Sequence, residues 1–492
     1  MFNTLPLLSL LIFIPLLGAA ISLCCRTQAQ ARVTALMTVL LEFLLAIAVL
    51  VRFDPSDTNA FQLIEQKQWL PNLNIQYFLG IDGISVLFLP ATALLGLMAI
   101  VASWYSVNRL TGFYYAMLLS LLGITMGVFL ALDTMLFFLF WELTLPPIYF
   151  LISLWGSGAQ RRKAAMKYTM AMMFGGIPLL FAFIMLAQGS GPGGDELVFS
   201  LPQLLQAPVN NGSQVAILAL LVVGFAVKAP LFPFHTWLPA IAMESPAQIT
   251  AILVGLKLGA YGLLRMALPL APEAAVEYAW VIGVWGAFTM IYSAFIALNQ
   301  SNLRRMLAYA SISHVGLVVI GIAAMNVQSL QGAVFQLLNF TFVASGLMFA
   351  SGFIQQRTGT TDVSSLGSLA GTMPRLAALF FILVMASIGI PGTSGFAAEL
   401  LLILGAFTSH IGLGIVALAA IVLGAAYLLK HFKDIFWGPQ KKMDQHLPAE
   451  LKQDEIMILL PYCVLVLLMG FFPNLILNIT AGAIENWLTY FP

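Results

Sequence analysis

The chain has 492 residues, of which 61% are apolar and only 8% are charged. This composition excludes an ordinary soluble globular domain and predicts a polytopic membrane protein. The net charge of +1 excludes a role that depends on a basic surface for nucleic acid, and the three cysteines lack the spacing of a zinc or iron–sulfur site.

Fourteen apolar runs are long enough for the ~20 residues that a membrane-spanning helix needs. The first run lacks the basic segment and the cleavage site of a signal peptide, so we expect a retained helix. The predicted fold class is an all-α polytopic membrane protein with about fourteen transmembrane helices. The predicted spans are 4–24, 32–51, 78–105, 112–131, 134–155, 165–187, 214–236, 247–267, 276–298, 304–323, 328–355, 376–407, 411–433 and 456–480.

The cations predict the orientation. With the N-terminus outside and the spans alternating, sixteen of the 21 Lys and Arg residues fall on the cytoplasmic side, as the positive-inside rule requires. Three lie outside (Arg52, Lys67 and Arg265) and two lie within spans (Lys228 and Lys257). The sixteen are Arg26, Arg32, Arg109, Arg161, Arg162, Lys163, Lys167, Arg304, Arg305, Arg357, Arg375, Lys430, Lys433, Lys441, Lys442 and Lys452.

Two spans contain helix-breaking sequences. One break follows Lys228, where prolines crowd residues 228–239, and the other is the Gly/Pro-rich stretch 389–395. Each break lies within a predicted repeat of five spans, 112–267 and 268–433, and two successive odd-numbered blocks enter the membrane from opposite sides. Such inverted repeats with broken helices are typical of transport proteins. The predicted organisation is N-terminal helices (1–111), a first repeat with the central-lysine helix (112–267), a second repeat (268–433), and a cytoplasmic loop with the C-terminal helix (434–492).

Besides Glu42, five ionisable residues lie inside apolar spans, where a charge costs roughly 2.5–3.5 kcal/mol and is rare without a use. Lys228 precedes the first break and could otherwise be a lysine whose ammonium reaches the membrane surface. Glu142 is the only charge between Asp133 and Arg161; a lysine partner, with Lys228 as the candidate, competes with a structural hydrogen bond to a neighbouring helix.

The remaining three occur farther along the chain. Lys257 is surrounded by glycines that permit close helix packing. His314 is either a satisfied interhelical hydrogen bond or a proton relay, because its ordinary pKa is near 6.5. Glu399 follows the second break. Glu42, a lone carboxylate in the second span, has no evident partner and stays open among a protonated acid, a lipid contact and a subunit contact.

Carboxylate, lysine, lysine, histidine and carboxylate on successive helices predict a proton-transfer axis. The axis contains no serine or cysteine nucleophile, so it does not resemble a hydrolytic triad. The two lysines repel cations, so it does not resemble a metal cage either.

Six motifs carry a resemblance that covers almost the whole chain. The sequence resembles the antiporter-like membrane subunits of respiratory complex I, the M-type group of the bacterial NADH:quinone oxidoreductases in particular, within the Mrp-type antiporter superfamily. The motifs are IDGISVLF (81–88), GVFLALDTMLFFLFWELTLPPIYFLISLWG (127–156), FAVKAPLFPFHTWLP (225–239), LVGLKLGAYGLLR (253–265), LRRMLAYASISHVG (303–316) and GIPGTSGFAAELLLILGAF (389–407).

The resemblance implies a role for each charged residue. Glu142 matches the glutamate of the Trp-Glu motif and Lys228 the lysine with which it pairs. Lys257 matches the central lysine, His314 the relay histidine and Glu399 the terminal glutamate toward the outer side. It also implies a proton-translocating subunit in the inner membrane of a bacterium, with no cofactor of its own. NADH, FMN, iron–sulfur clusters and quinone are then expected in partner subunits, and other antiporter-like subunits are expected beside this one.

The chain departs from the family pattern at two places. Relatives usually continue the His-x-Trp-Leu-Pro motif with Asp-Ala-His, where this sequence has Ala240-Ile241-Ala242. They also often carry a histidine in the helix that matches 328–355, where this chain reads QLLNFTFVASG.

Three alternatives remain. The same machinery could serve a cation/proton antiporter, a membrane hydrogenase or an inorganic-carbon uptake complex. A stand-alone secondary transporter would have a solute pocket at the two breaks. A structural subunit would have charges that no longer conduct protons.

Overall fold

The computed structural model describes residues 5–57, 60–189, 197–206, 209, 211–439 and 448–492. Lys441 and Lys442, predicted to face the cytoplasm, lie outside the described residues. Helices dominate the described part, as predicted from the apolar runs. The helices are α1 Leu7–Cys24, α2 Gln28–Arg52, α3 Phe88–Ser103, α4 Thr111–Leu130, α5 Thr134–Leu143, α6 Leu145–Trp155, α7 Arg161–Gly189, α8 Leu201–Gln206, α9 Asn211–Lys228, α10 Trp237–Glu244, α11 Ala247–Gly255, α12 Leu258–Gly262, α13 Pro272–Leu298, α14 Leu303–Ala323, α15 Val327–Thr358, α16 Leu369–Thr372, α17 Pro374–Ser387, α18 Ser394–Ser409, α19 Ile411–Phe432, α20 Gln453–Phe471 and α21 Asn474–Leu488.

Eleven stretches of helix are long and apolar enough to cross a membrane among the described residues. They correspond to eleven of the fourteen predicted spans. The other three, 78–105, 214–236 and 376–407, contain shorter apolar helices, because a strand, a break or both interrupt them. The protein is therefore a multi-pass membrane protein, while the count of fourteen spans stays a prediction.

A two-stranded hairpin occupies part of the predicted loop 52–77. Strand β1 (Gln62–Leu70) pairs antiparallel with β2 (Ile75–Ile81), and Asn74 takes a left-handed conformation (φ 53°) at the turn. The predicted span 78–105 therefore begins as a strand and becomes helical only at Phe88. The hairpin was not expected from the sequence.

Helices α14 and α15 form the centre of the molecule. Nearly every residue of α14 is buried, and α15 is a 32-residue helix that packs against α11, α14, α17, α18 and α20. Helices such as α2, α7 and α19 lie at the periphery and expose large apolar side chains, as a lipid-facing surface requires. Exposed examples are Leu44, Met170, Phe181, Ile415 and Val422.

The segments that connect the helices lie on two opposite faces of the molecule. On one face, which is rich in cations, hydrogen bonds connect the start of α2 with loops near 108, 158, 245, 304, 357 and 450. The bonds are Arg32 Nη2 to the Val107 carbonyl (3.1 Å), Trp155 Nε1 to the Arg109 carbonyl (2.8 Å), Gln160 N to Glu244 Oε2 (2.8 Å), Arg304 Nη2 to the Ser245 carbonyl (2.7 Å), Arg304 Nη1 to Gln355 Oε1 (2.9 Å) and Arg357 Nε to the Ala449 carbonyl (2.7 Å).

The start of α1 belongs to the opposite, cation-poor face. Backbone amides of Leu8 and Ser9 donate to the carboxylate of Glu65 on the hairpin (2.8 and 3.0 Å), and this carboxylate satisfies donors at the start of the helix. The hairpin in turn pairs with the segment before α5. The start of α1 therefore lies away from the face that carries most of the arginines.

A buried ion pair on the cation-poor face joins the segment before α3 to the end of the α12 region. Asp82 and Arg265 form it, and both side chains are less than a tenth exposed. Asp82 also accepts a hydrogen bond from the Ser85 amide (2.9 Å). We expect Asp82→Asn to destabilise the protein by about 3–5 kcal/mol, because it leaves the guanidinium buried without its carboxylate. The midpoint of thermal unfolding of the purified protein in detergent measures this loss.

The exposed carboxylate of Glu277 supplies the control for this measurement. Glu277→Gln should leave the midpoint within experimental error, because surface charges contribute little to stability. Equal midpoints for Asp82→Asn and Glu277→Gln would contradict a stabilising role for the ion pair.

Candidate proton-transfer site

The first predicted break is present, and Lys228 is the last residue of α9 before it. The chain leaves the helix at Ala229 and resumes as a short turn, Phe234–Thr236, followed by α10. Trp237 Nε1 donates to the Val227 carbonyl (2.9 Å), which thereby gains a partner inside the protein. A side-chain donor of this kind is what makes irregular backbone tolerable at membrane depth.

The ammonium of Lys228 contacts the junction between α5 and α6. Its Nζ atom donates to Thr144 Oγ1 (2.9 Å) and to the Trp141 carbonyl (3.2 Å), and it lies 3.9 Å from the centroid of the Trp141 ring. The junction exists because Pro146 and Pro147, in the first turn of α6, cannot donate the backbone hydrogen bonds that would continue α5. Lys228 is thus held by a carbonyl, a hydroxyl and an aromatic face.

Glu142 lies next to this contact but not in it. Its carboxylate and the Lys228 ammonium interact electrostatically, yet they are farther apart than the 4.0 Å of a direct ion pair. The carboxylate lies against Gly176 on α7, where any added Cβ would overlap it. The predicted partnership is therefore one through space, with Thr144 and Trp141 making the direct contacts of the lysine.

A third break, which the sequence did not predict, occurs at Lys257. Helix α11 ends at Gly255, the backbone of Leu256 and Lys257 is not helical, and α12 begins at Leu258. The Gly255 carbonyl, freed at the end of α11, accepts a hydrogen bond from Thr341 Oγ1 of α15 (3.1 Å), and the Ala251 carbonyl one turn earlier accepts another from Ser345 Oγ (2.9 Å).

The breaks at Lys228 and Lys257 touch each other. A Cβ on Gly259 would overlap the backbone nitrogen of Ala229 and lie 2.6 Å from the carbonyl carbon of Lys228. Only a glycine permits this approach, because a Cβ contact below 3 Å forces the backbone to move. The two lysines therefore stand on adjoining interruptions of neighbouring helices.

Lys257 connects onward to His314 through α14. Its Nζ donates to Ser311 Oγ, and Ser311 and His314 are three residues apart on one helix face. The His314 imidazole is close enough to the Lys257 ammonium for the two groups to interact electrostatically. The ring of Phe340 on α15 packs against His314 (centroids 4.5 Å apart) and lies 5.8 Å from Lys257 Nζ.

His314 and Glu399 are the last two residues of the predicted proton-transfer axis. Nδ1 of His314 lies 3.7 Å from Oε1 of Glu399, and both side chains are buried. The second predicted break places this carboxylate: Gly389 has a positive φ of 67°, and a Cβ there would overlap Oε2 of Glu399. Gln336 Nε2 also donates to Oε1 of Glu399 (3.3 Å).

The structure thus places Lys257, His314 and Glu399 next to one another, sets Glu142 beside Lys228, and brings the two helix breaks into contact at Gly259. The sequence gives little indication of Thr144, Ser311 and Gln336, because uncharged polar residues are common in membrane spans. The spacing of Ser311 and His314 on one helix face is the only signal that could have indicated one of them.

Three other features stand apart from the line of charges. Glu42 on α2 is fully buried, and neither carboxylate oxygen has a hydrogen-bond partner in the described part of the chain. Ala240–Ala242 lies inside α10, where Ile241 and Ala242 pack in the core. Within the described ranges, all three cysteines are free and no group of three His, Cys, Asp or Glu residues could hold a metal ion.

Comparisons with known proteins agree over almost the full chain. The family model described as NADH:quinone oxidoreductase/Mrp antiporter, TM, matches residues 131–424. NADH-quinone oxidoreductase subunit M from Rickettsia typhi is 33% identical over 497 residues, covering 99% of this chain and 99% of the relative. A chain of respiratory complex I from Thermus thermophilus with bound NADH superimposes with a TM-score of 0.89 at 27% identity, covering 99% of this chain and 100% of that chain.

A chain of the Mrp complex from Dietzia sp. superimposes with a TM-score of 0.86, covering 99% of this chain and 98% of that chain. Its identity of 24% shows a shared fold alone. The fold and its buried line of charges define an antiporter-like membrane protein. The chain belongs to the NADH:quinone oxidoreductase/Mrp antiporter transmembrane family. The resemblance that the motifs indicated is thereby confirmed, and the roles of the five charged residues stay predictions.

Proposed function

We propose that the chain is a proton-translocating membrane subunit of a complex I-type NADH:quinone oxidoreductase. The observation that carries this proposal is the close succession of polar groups in the core: Lys257 Nζ donates to Ser311 Oγ, Ser311 and His314 share one face of α14, and His314 Nδ1 lies 3.7 Å from Glu399 Oε1. Buried ionisable groups within transfer distance of one another are costly to keep in a membrane and serve proton movement in transport proteins. The relatives named as subunit M support the choice of host complex.

In the proposed mechanism, charge on Glu142 controls the proton on Lys228. A carboxylate nearby favours the ammonium, and its neutralisation or displacement lets the lysine release the proton. The proton then moves from Lys228 to Lys257, whose helix breaks adjoin at Gly259, and from Lys257 by way of Ser311 and His314 to Glu399. Each break frees backbone carbonyls that can hold water in the path.

The energy for this movement comes from redox chemistry in other subunits. The chain has no redox group of its own in this proposal; NADH, FMN, iron–sulfur clusters and quinone belong to its partners. The partners in the membrane are neighbouring antiporter-like subunits, and the exposed apolar helices face them or the lipid. The bacterial relatives support an inner-membrane location, and the positive-inside rule puts the cation-poor face, with the start of α1, outside.

Replacement of Lys228 by methionine in the assembled complex tests the proposal. Lys228→Met removes the ammonium but keeps most of the side-chain volume, so we expect proton pumping to fall by about tenfold together with quinone reduction. Pumping is measured as acidification of inverted membrane vesicles per NADH oxidised. Lys163→Met, at an exposed lysine on the cation-rich face, is the matched control and should change neither rate.

Co-purification separates this function from the alternatives. A tag on the full chain should bring down NADH-oxidising subunits from detergent-solubilised membranes. Recovery of a cation/proton antiporter complex instead, or normal pumping by Lys228→Met at normal abundance, would overturn the proposal.

A further inference from the structure

A chain of uncharged polar side chains joins helix α15 to the beginning and the middle of α18. Ser394 Oγ, in the first turn of α18, donates to Asn339 Oδ1 (2.6 Å). Asn339 Nδ2 donates to Gln336 Oε1 (3.2 Å), and Gln336 Nε2 donates to Glu399 Oε1 (3.3 Å). Ser394, Asn339 and Gln336 are completely buried. We call these three residues the amide clip.

The amide clip has one direction. Each amide uses its oxygen to accept and its nitrogen to donate, so every donor points toward Glu399 and the chain ends on the carboxylate oxygen. A carboxylate that accepts such a bond is favoured in its charged form over the protonated one. An amide cannot take up a proton itself near neutral pH, so the clip holds the carboxyl group without joining the relay.

The amide clip binds the carboxylate oxygen of Glu399 that faces His314. Oε1 of Glu399, which accepts from Gln336, is the same atom that lies 3.7 Å from His314 Nδ1. Neither ring nitrogen of His314 has a hydrogen-bond partner within the described residues, and Phe340 covers one side of the ring. Gln336 is therefore the side chain that fixes where the acceptor of the last transfer stands.

The helix backbones beside the amide clip are too closely packed to shift if a side chain of the clip is replaced. A Cβ on Gly332, one turn from Gln336, would lie 2.8 Å from the Leu402 amide nitrogen and 3.0 Å from the Ala398 carbonyl. Helices α15 and α18 are thus in close contact beside Glu399. Two titratable groups face the carboxyl group from other helices, His314 on α14 and Tyr427 on α19.

We propose that Gln336 is a positioning residue for proton transfer: through the amide clip it orients Oε1 of Glu399 toward His314. The proposal rests on the proposed function, because it assigns a task within the same line of residues. It assigns no proton-carrying role to Gln336 itself.

Gln336→Met in the assembled complex tests the proposal, since methionine has nearly the volume of glutamine and no donor. We expect pumping to fall by about tenfold, because a hydrogen bond to a charged group is lost. We also expect the pH profile of pumping to move to higher pH, by about half a unit or more, because a carboxyl group without this donor holds its proton more tightly. Asn339→Leu should produce a smaller change in the same direction.

Ser351→Ala is the matched control. Ser351 is buried on the same helix and donates only within it, to the Met348 carbonyl and sulfur, so its loss removes a buried hydrogen bond without touching Glu399. Its pumping rate and pH profile should match the parent protein. Immunoblots of the isolated complex verify that every variant is present at equal abundance.

Glu399→Gln separates the inference from the function on which it rests. If Glu399→Gln abolishes pumping and Gln336→Met behaves like Ser351→Ala, the positioning role is wrong and the relay stands. If Glu399→Gln pumps normally, the relay itself is wrong. A loss of pumping in Gln336→Met with an unshifted pH profile would also overturn the positioning role, because a packing defect alone gives that result.

Discussion

Lys257→Met should nearly abolish proton pumping and slow quinone reduction in the same membranes. Lys257 is the only lysine in the described part of the chain that lies between the Lys228 break and His314, and in the proposed path its bond to Ser311 leads toward His314 and Glu399. Removing one member of a proton relay typically costs a factor of about 10²–10⁴ in the transfer step, so at least a tenfold loss is expected. The ratio of protons moved to NADH oxidised in inverted vesicles measures it.

Two comparisons make this result specific. Lys67→Met changes an exposed lysine of the hairpin and should leave pumping unchanged. Ser311→Ala keeps the Lys257 ammonium and the His314 imidazole but removes the hydroxyl between them, so we expect a loss of pumping smaller than that of Lys257→Met. Normal pumping by Lys257→Met in a fully assembled complex would contradict the order of transfer proposed above.

Gly259→Val should be as damaging as the loss of a charge, although it changes no ionisable group. The added carbons would occupy the position of the Ala229 backbone and force the two breaks apart. Because the collision is with backbone atoms, Gly259→Ala should also be defective, and Ala229→Gly should not rescue it. Pumping per NADH, together with a native gel that reports assembly, measures both effects.

Two other glycines provide the controls. Gly412 has no neighbour within 4 Å of an added Cβ, so Gly412→Val should be tolerated. Gly262 would meet the ring of Phe225, which is a side chain, so Gly262→Ala should be defective alone and recover with Phe225→Leu. Rescue of Gly259→Ala by Ala229→Gly would show that the predicted backbone contact is wrong.

The features that sequence could predict are those with a large free-energy cost. Lys228, Lys257 and Glu399 stand out because charge in an apolar span is expensive, Pro230 because proline cannot continue a helix, and Gly389 because glycine destabilises one. The effect of proline and glycine on helices correctly predicted the break after Lys228 and the break at 389–395. A resemblance carried by motifs then supplied the family, which the comparisons confirm.

The features that sequence could not predict depend on contacts between distant segments. The sequence around Lys257 contains no proline and reads as one apolar run, whereas the break there is completed by hydroxyl groups of Thr341 and Ser345 on another helix. The amide clip and Thr144 consist of residues common in any span. The hairpin was missed because β1 is mostly exposed and shows no clear alternation of apolar residues.

The contacts of Lys228 link the protonation state of its side chain to the packing of the α5–α6 junction. The ammonium holds the α5–α6 junction by a hydrogen bond to the Trp141 carbonyl and by the attraction of a cation to the Trp141 ring. A neutral amine loses the cation–ring attraction and most of the strength of the bond. In the proposed mechanism, each departure of a proton from Lys228 would therefore weaken the contacts of the α5–α6 junction beside Glu142, so the protonation state of the lysine would act on the position of that carboxylate.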